Sequence, residues 1–261
     1  MTVLTRPDQP SISYDDHGGD GPAVCLVHGI TESGTSWAPI VERLGDHRVV
    51  TIDLRGHGRS GTAERYDLEA SAGDVVAVLA ARDLLGSSHL VGHSLGGAVV
   101  STVGSVAPVA SIVNDDQSLR LAGFASQLAE VEQPLRDPTS FAAVIDAMFD
   151  QMAGPLLGAD ERERIGGLRR ADQDVVLGVW DLLFTMSTDE IERVVAEALG
   201  GYADRAVPYL SLFGIDPGPD YAGWLGNVSD GARVEVWPEH GHYPHLDDPD
   251  RFVDRLRSSW S

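Results

Sequence analysis

The chain has 261 residues, 43% of them hydrophobic and 23% charged, which suits one α/β domain carrying an insertion and is short for two domains with separate cores. No apolar run approaches the ~18 residues needed to span a bilayer, which argues against a membrane span, and the start MTVLTRPDQP has neither the basic nor the apolar region of a secretory signal, so the cytoplasm is the expected location. The net charge of −21 is spread along the whole chain with no basic stripe; it reads as a solubilising surface and argues against a nucleic-acid partner.

Short apolar runs rich in β-formers alternate with Gly-rich turns and helical patterns, which predicts an α/β fold with a mostly parallel sheet flanked by helices. In chain order, strands are expected over 12–14, 23–28, 48–53, 89–92, 109–114, 207–214 and 233–237, each near-continuously apolar as strands buried on both faces are. Helices are expected over 68–85, 95–106 and 249–260. The lone Cys25 lies in Ala-Val-Cys-Leu-Val and reads as a buried structural thiol with no disulfide partner. Residues 118–204 break the alternation and read as helical throughout, with Phe141, Val144, Ile145, Met148 and Phe149 at helical spacing. They are expected to form a helical lid inserted into a core of residues 1–117 and 205–261, most of these side chains packing helix on helix. The mixed charges of 161–170 are expected to make a solvated face.

The chemistry-bearing motif is His89-Leu90-Val91-Gly92-His93-Ser94-Leu95-Gly96-Gly97, which sets Gly-x-Ser-x-Gly between an expected strand and an expected helix. A serine on so sharp a turn takes a strained backbone and projects its hydroxyl, while flanking glycines remove side chains that would clash. The following helix aims its N-terminal N–H groups at developing negative charge. This motif, in this context, resembles the nucleophile elbow of the α/β-hydrolase superfamily, and the resemblance extends over nearly the whole chain outside 118–204.

The resemblance implies further roles. The backbone N–H groups of Ile30, in Val27-His28-Gly29-Ile30, and of Leu95 would form the oxyanion hole; the His28 side chain is expected to be structural. The general base would be His242, in Gly241-His242-Tyr243-Pro244, selected over His240 and His245. The acid would be Asp216, after the run Val207 to Ile215, with Asp116 and then Asp115 in reserve because some members carry the acid after an earlier strand. The turn Asp53-Leu54-Arg55-Gly56-His57-Gly58-Arg59-Ser60 is a family signature that would brace the sheet. Trp37, His93, Trp180 and Phe184 are candidates for lining the substrate pocket.

His240, His242 and His245, with Glu239, Asp247 and Asp248, also suggest a metal site, but His-x-His-x-x-His matches no catalogued zinc-hydrolase motif, so no metal and no cofactor are expected. The expected activity is hydrolysis of a small or medium carboxylic ester, lactone or thioester through an acyl-enzyme. The substrate would be a small molecule, and Trp180, Leu182, Leu183, Phe184 and Met186 would favour an apolar acyl or ring part if they face inward. The same triad also serves carbon–carbon bond hydrolases and cofactor-free haloperoxidases or perhydrolases, and a receptor-like relative with weak turnover is the alternative from another class. A serine at the elbow argues against the epoxide hydrolases and haloalkane dehalogenases of this fold, which carry Asp there. The expected assembly is a monomer or homodimer.

Overall fold

The computed structural model describes residues 2–260. The strands are β1 (Thr2–Leu4), β2 (Ile12–Asp16), β3 (Ala23–Val27), β4 (Arg48–Ile52), β5 (Ser88–His93), β6 (Ser111–Asp115), β7 (Tyr209–Phe213) and β8 (Arg233–Val236). They form one sheet in the order β1-β2-β4-β3-β5-β6-β7-β8. From β4 to β8 every pairing is parallel, and β1 and β2 close one edge antiparallel.

The period of two along each strand splits the interior into two layers. In β3, Val24 and Leu26 point to the face shared with Trp37, Ile40 and Phe252, while Cys25 and Val27 point to the larger core on the other face. Both layers need helices to cover them. These are α1 (Ala38–Arg43), α2 (Leu68–Ala81), α3 (Leu95–Val106), α4 (Ala122–Arg136), α5 (Phe141–Met152), α6 (Ala159–Leu168), α7 (Gln173–Thr185), α8 (Thr188–Leu199), α9 (Tyr221–Val228), α10 (Pro244–Asp247) and α11 (Pro249–Trp260). The sequence boundaries of α3 and α11 coincide with those expected. Helix α2 stops at Ala81, short of the expected residue 85, because Asp83 turns left-handed at φ 57° and the Leu84 N–H closes on the Leu79 carbonyl. The short β1 and α9 had no clear periodic signal.

Helices α4 to α8 lie between β6 and β7, over the stretch expected to be an insertion. Phe141, Ile145 and Phe149, four apart, form the buried stripe of α5, and α8 starts from a capping box between Ser187 and Glu190. The apolar interior of these helices is continuous with the larger core. Among the described residues no helix is long and apolar enough to cross a membrane.

The sheet order reverses at β3, whose neighbours are β4 and β5. At such a switch point the loops leaving the carboxyl ends of the strands diverge and open a crevice. The register aligns Val27 with Gly92, and His93 with Asp115, so the loops after β3, β5 and β6 start at one level.

Candidate active site

Ser94 follows β5 and caps α3 with φ 51° and ψ −122°, a conformation a non-glycine residue adopts only when the surroundings impose it. The neighbouring glycines explain how. A Cβ on Gly92 would stand 2.1 Å from the Gly96 carbonyl oxygen, and one on Gly96 would stand 2.1 Å from that of Val27. Helix α3 therefore starts in backbone contact with the ends of both β5 and β3, and the serine is forced onto the apex. Its N–H is tied to the Asp115 carbonyl at 2.9 Å.

The loop after β3 passes beside the serine. Gly29 is close enough that a Cβ there would meet the Ser94 Cβ at 3.2 Å and His93 Nδ1 at 2.9 Å. Among the described residues the N–H groups of Ile30 and Leu95 have no acceptor, as two donors held for an oxyanion would require. His28 is structural as expected: its Nδ1 donates to the Gly29 carbonyl at 2.7 Å and its Nε2 accepts from the Leu54 N–H at 3.0 Å.

His242 follows β8, and its ring is buried. Its Nδ1 donates to Asp116 Oδ2 at 2.6 Å, while Nε2 is buried with no hydrogen-bond partner and so remains uncommitted. The carboxylate orienting this ring is thus Asp116 rather than the expected Asp216. Asp116 is the first residue after β6, left-handed at φ 54°, and its Oδ1 accepts from the N–H groups of Gly214 and Ile215 at 2.8 and 3.0 Å. The loop after β7 therefore supplies amides that hold the acid, not the acid itself. Asp216 lies beyond them, exposed, with its carboxylate spent on the Gly218 N–H in a local turn. Asp216 stands where the family resemblance places the acid, after β7, whereas Asp116 follows the earlier strand β6.

Two expected pocket residues are misplaced. Trp37 and His93 are fully buried, Trp37 against His245 and Phe252 on the opposite face of the sheet and His93 behind the elbow, so neither lines a pocket. Trp180 packs edge-on to Phe124 within the insertion, and Phe184 lies under the Arg136 guanidinium. The face over 161–170 is not simply solvated. Arg162 donates to the Gly154 carbonyl and Arg164 to that of Ser36, while the Arg170 N–H donates to the Thr31 carbonyl at 2.8 Å. At the end of α5 the Met152 carbonyl accepts from the His242 N–H at 2.8 Å. These helices are thus bonded to both the loop after β3 and the loop after β8.

The signature turn does brace the sheet. Asp53 accepts from the N–H groups of Gly34 and Arg59, and Arg55 pairs with buried Asp74. Burial pushes the Cys25 thiol up to about 12, in keeping with an inert structural role.

The three histidines considered for a metal face different ways: His240 to the Pro238 carbonyl, His242 to Asp116 and His245 to Asp115. A different trio, His93, Asp115 and His245, brings donor atoms within 4.8 Å of one another. Within it, His245 Nδ1 and Asp115 Oδ2 are 2.6 Å apart. That is the spacing of a charge-assisted pair, tighter than the edge of about 3.3 Å that tetrahedral zinc at ordinary bond lengths would impose.

The profile of the alpha/beta hydrolase family matches residues 26–255. The chain belongs to the alpha/beta hydrolase family. Among curated members it is 30% identical over 164 residues to lipase LipV of Mycobacterium tuberculosis H37Rv, covering 58% of this chain and 61% of the lipase. It is 42% identical over 86 residues to N-formylmaleamate deformylase of Pseudomonas putida KT2440, covering 32% of each. In fold this alpha/beta hydrolase resembles a hydrolase from Pseudomonas aeruginosa PA01, with a TM-score of 0.79 at 21% identity over 99% of this chain and 97% of that one. It also resembles the enol-lactonase of Burkholderia xenovorans LB400, with a TM-score of 0.67 at 20% identity over 96% of each.

Proposed function

We propose that this alpha/beta hydrolase cleaves a small or medium carboxylic ester, lactone or thioester through an acyl-enzyme, with Ser94 as nucleophile, His242 as base and Asp116 as its orienting acid. The observation that carries this reading is a buried histidine whose Nδ1 is committed to a carboxylate and whose Nε2 is uncommitted, with the strained Ser94 directly following His93, whose ring lies 4.7 Å from that of His242.

The steps follow from those commitments. Ser94 Oγ attacks the carbonyl carbon and its proton passes to His242 Nε2, while Asp116 Oδ2 keeps the Nδ1–H and stabilises the imidazolium that results. The negative charge on the former carbonyl oxygen falls to the N–H groups of Ile30 and Leu95. Collapse breaks the bond to the leaving alcohol or thiol, which takes the proton from Nε2. Water then attacks the acyl-serine, giving its proton to the same nitrogen, and Ser94 leaves with that proton as the acid is released. The names of the lipase and the enol-lactonase fit this class of substrate. The insertion, bonded at both ends of the site, would act as a cap that excludes water.

The test is peptide mass spectrometry after treatment with a fluorophosphonate. An adduct on Ser94 that is lost in His242→Ala is the expected result, together with turnover of an activated ester that falls to background in Ser94→Ala. Full turnover by Ser94→Ala would sink the serine mechanism.

A further inference from the structure

Four ionisable side chains are packed behind the catalytic loops with almost no exposure: Glu32 at 4%, His93 at 0%, Asp115 at 0% and His245 at 1%. Each comes from a segment the proposed reaction uses. Glu32 lies two residues after Ile30, His93 directly precedes Ser94, Asp115 directly precedes Asp116, and His245 lies three residues after His242. No step of the acyl transfer calls on any of them, and two buried carboxylates need positive charge beside them to remain ionised.

The geometry of His93 shows where that charge sits. Its Nε2 is 2.7 Å from the His242 carbonyl oxygen; a carbonyl only accepts, so Nε2 carries a hydrogen and donates. Its Nδ1 faces Glu32 Oε1 at 3.6 Å. A bare lone pair aimed at a carboxylate would be repelled, whereas a second N–H there makes an ion pair. Both nitrogens are then protonated. The electrostatics agree: burial opposes the charge on His93, but the Glu32 and Asp115 carboxylates outweigh it and hold the ring up at about 9. Burial likewise opposes ionisation of Glu32, and the His93 charge holds it down at about 2. His245 is pushed down by burial against the pull of Asp115, whose Oδ2 lies 2.6 Å from its Nδ1.

We infer that His93 is a standing imidazolium, paired with Glu32, that positions the base loop through the bond from its Nε2–H to the His242 carbonyl. His93 is a positioning residue, since it touches no reacting atom. Asp116, just after β6, pairs with the His242 ring, and the His93 ring lies 4.7 Å from it. Phe149 faces it from the insertion, with Arg169 over that ring, and Tyr243, His245 and His240 belong to its own loop.

The inference rests on the acyl-enzyme reading for its kinetic consequence alone, and the test separates the two. Nitrogen chemical shifts of the histidine side chains in the 15N-labelled protein, read at pH 7, should show His93 with both nitrogens protonated, assigned by its loss in His93→Gln. His93 as a single neutral tautomer at pH 7 overturns the inference, and this needs no substrate. Should His93→Gln not fold, Glu32→Gln gives the assignment by converting the same ring to its neutral form. In the kinetic arm, His93→Leu removes the donor to the His242 carbonyl and should lower kcat by about tenfold, and His93→Gln, which keeps a donor there, should recover part of that loss. An equal loss in both variants would leave His93 a packing residue and overturn the positioning role. A protein that turns over no ester at all refutes the proposed reaction, and the nitrogen shifts still decide the charge on His93.

Discussion

Asp116 and His242 are separated by 126 residues in the chain and by 2.6 Å in the fold, with the second oxygen of Asp116 clamped by the amides of Gly214 and Ile215. A carboxylate so held can only accept, and so can fix His242 only with hydrogen on Nδ1. Asp116→Asn replaces that oxygen with a group that donates or accepts, and the wrong tautomer becomes available. We expect kcat/KM to fall by about 10³- to 10⁴-fold. Asp216→Asn keeps an acceptor for the exposed turn contact to the Gly218 N–H and should change it by less than about twofold. Steady-state kinetics on an activated ester compares the two, and a larger loss in Asp216→Asn would reverse the assignment.

The misassigned acid shows where the sequence stopped being informative. The elbow was legible because its demands are local: strand, glycine, serine, glycine and helix are consecutive, and Gly92 and Gly96 are needed by contacts that the strand-to-helix turn itself creates. The parallel strands were legible because burial on both faces leaves continuous apolar runs. Which of two aspartates meets His242 is set instead by the register of β6 on β7 and by which loop turns its amides inward, and neither leaves a trace in residue type. The same holds for His93. Its neighbour Ser94 marked it as a pocket candidate, yet the turn that projects one side chain outward sends the other into the core. From the sequence Trp37 could line the pocket or only pack the loop; the 3-10 turn Gly34–Trp37 carries it to the opposite face of the sheet.

Gly154 should prove as important as residues nearer the chemistry. It has φ +73°, and a Cβ on it would meet the backbone of Gly241 at 2.7 Å, next to His242. Backbone cannot rotate out of the way as a side chain can. Gly154→Ala should therefore cost at least about 2 kcal/mol through strain and overlap. It should also lower kcat, because the bond from the His242 N–H to the Met152 carbonyl is two residues away. Chemical denaturation and kinetics on the same preparation check both effects. Unchanged stability would mean that the insertion is not docked on the base loop.

Stability should peak near neutral pH, with different histidines limiting it on either side. His57 is buried, and that burial, helped by the nearby His28, pushes it down to about 4 from an ordinary value of 6.5. The unfolded chain therefore takes a proton at this site before the folded one does, and stability declines as pH falls from about 6.5 toward 4, by about 3 kcal/mol at most for this one group. His93 has the opposite sign. Because its folded form is held at about 9, its contribution is fully present below 6.5 and is lost as pH rises through 9. Glu32, held at about 2, contributes above about 4.5 and loses that contribution only as pH falls toward 2. Urea denaturation at pH 4.5, 7 and 9.5 should then give the highest midpoint at pH 7. In His93→Gln the decline between 7 and 9.5 should flatten while that between 7 and 4.5 persists. An equal decline on the alkaline side in wild type and variant would mean that the alkaline loss comes from groups other than His93.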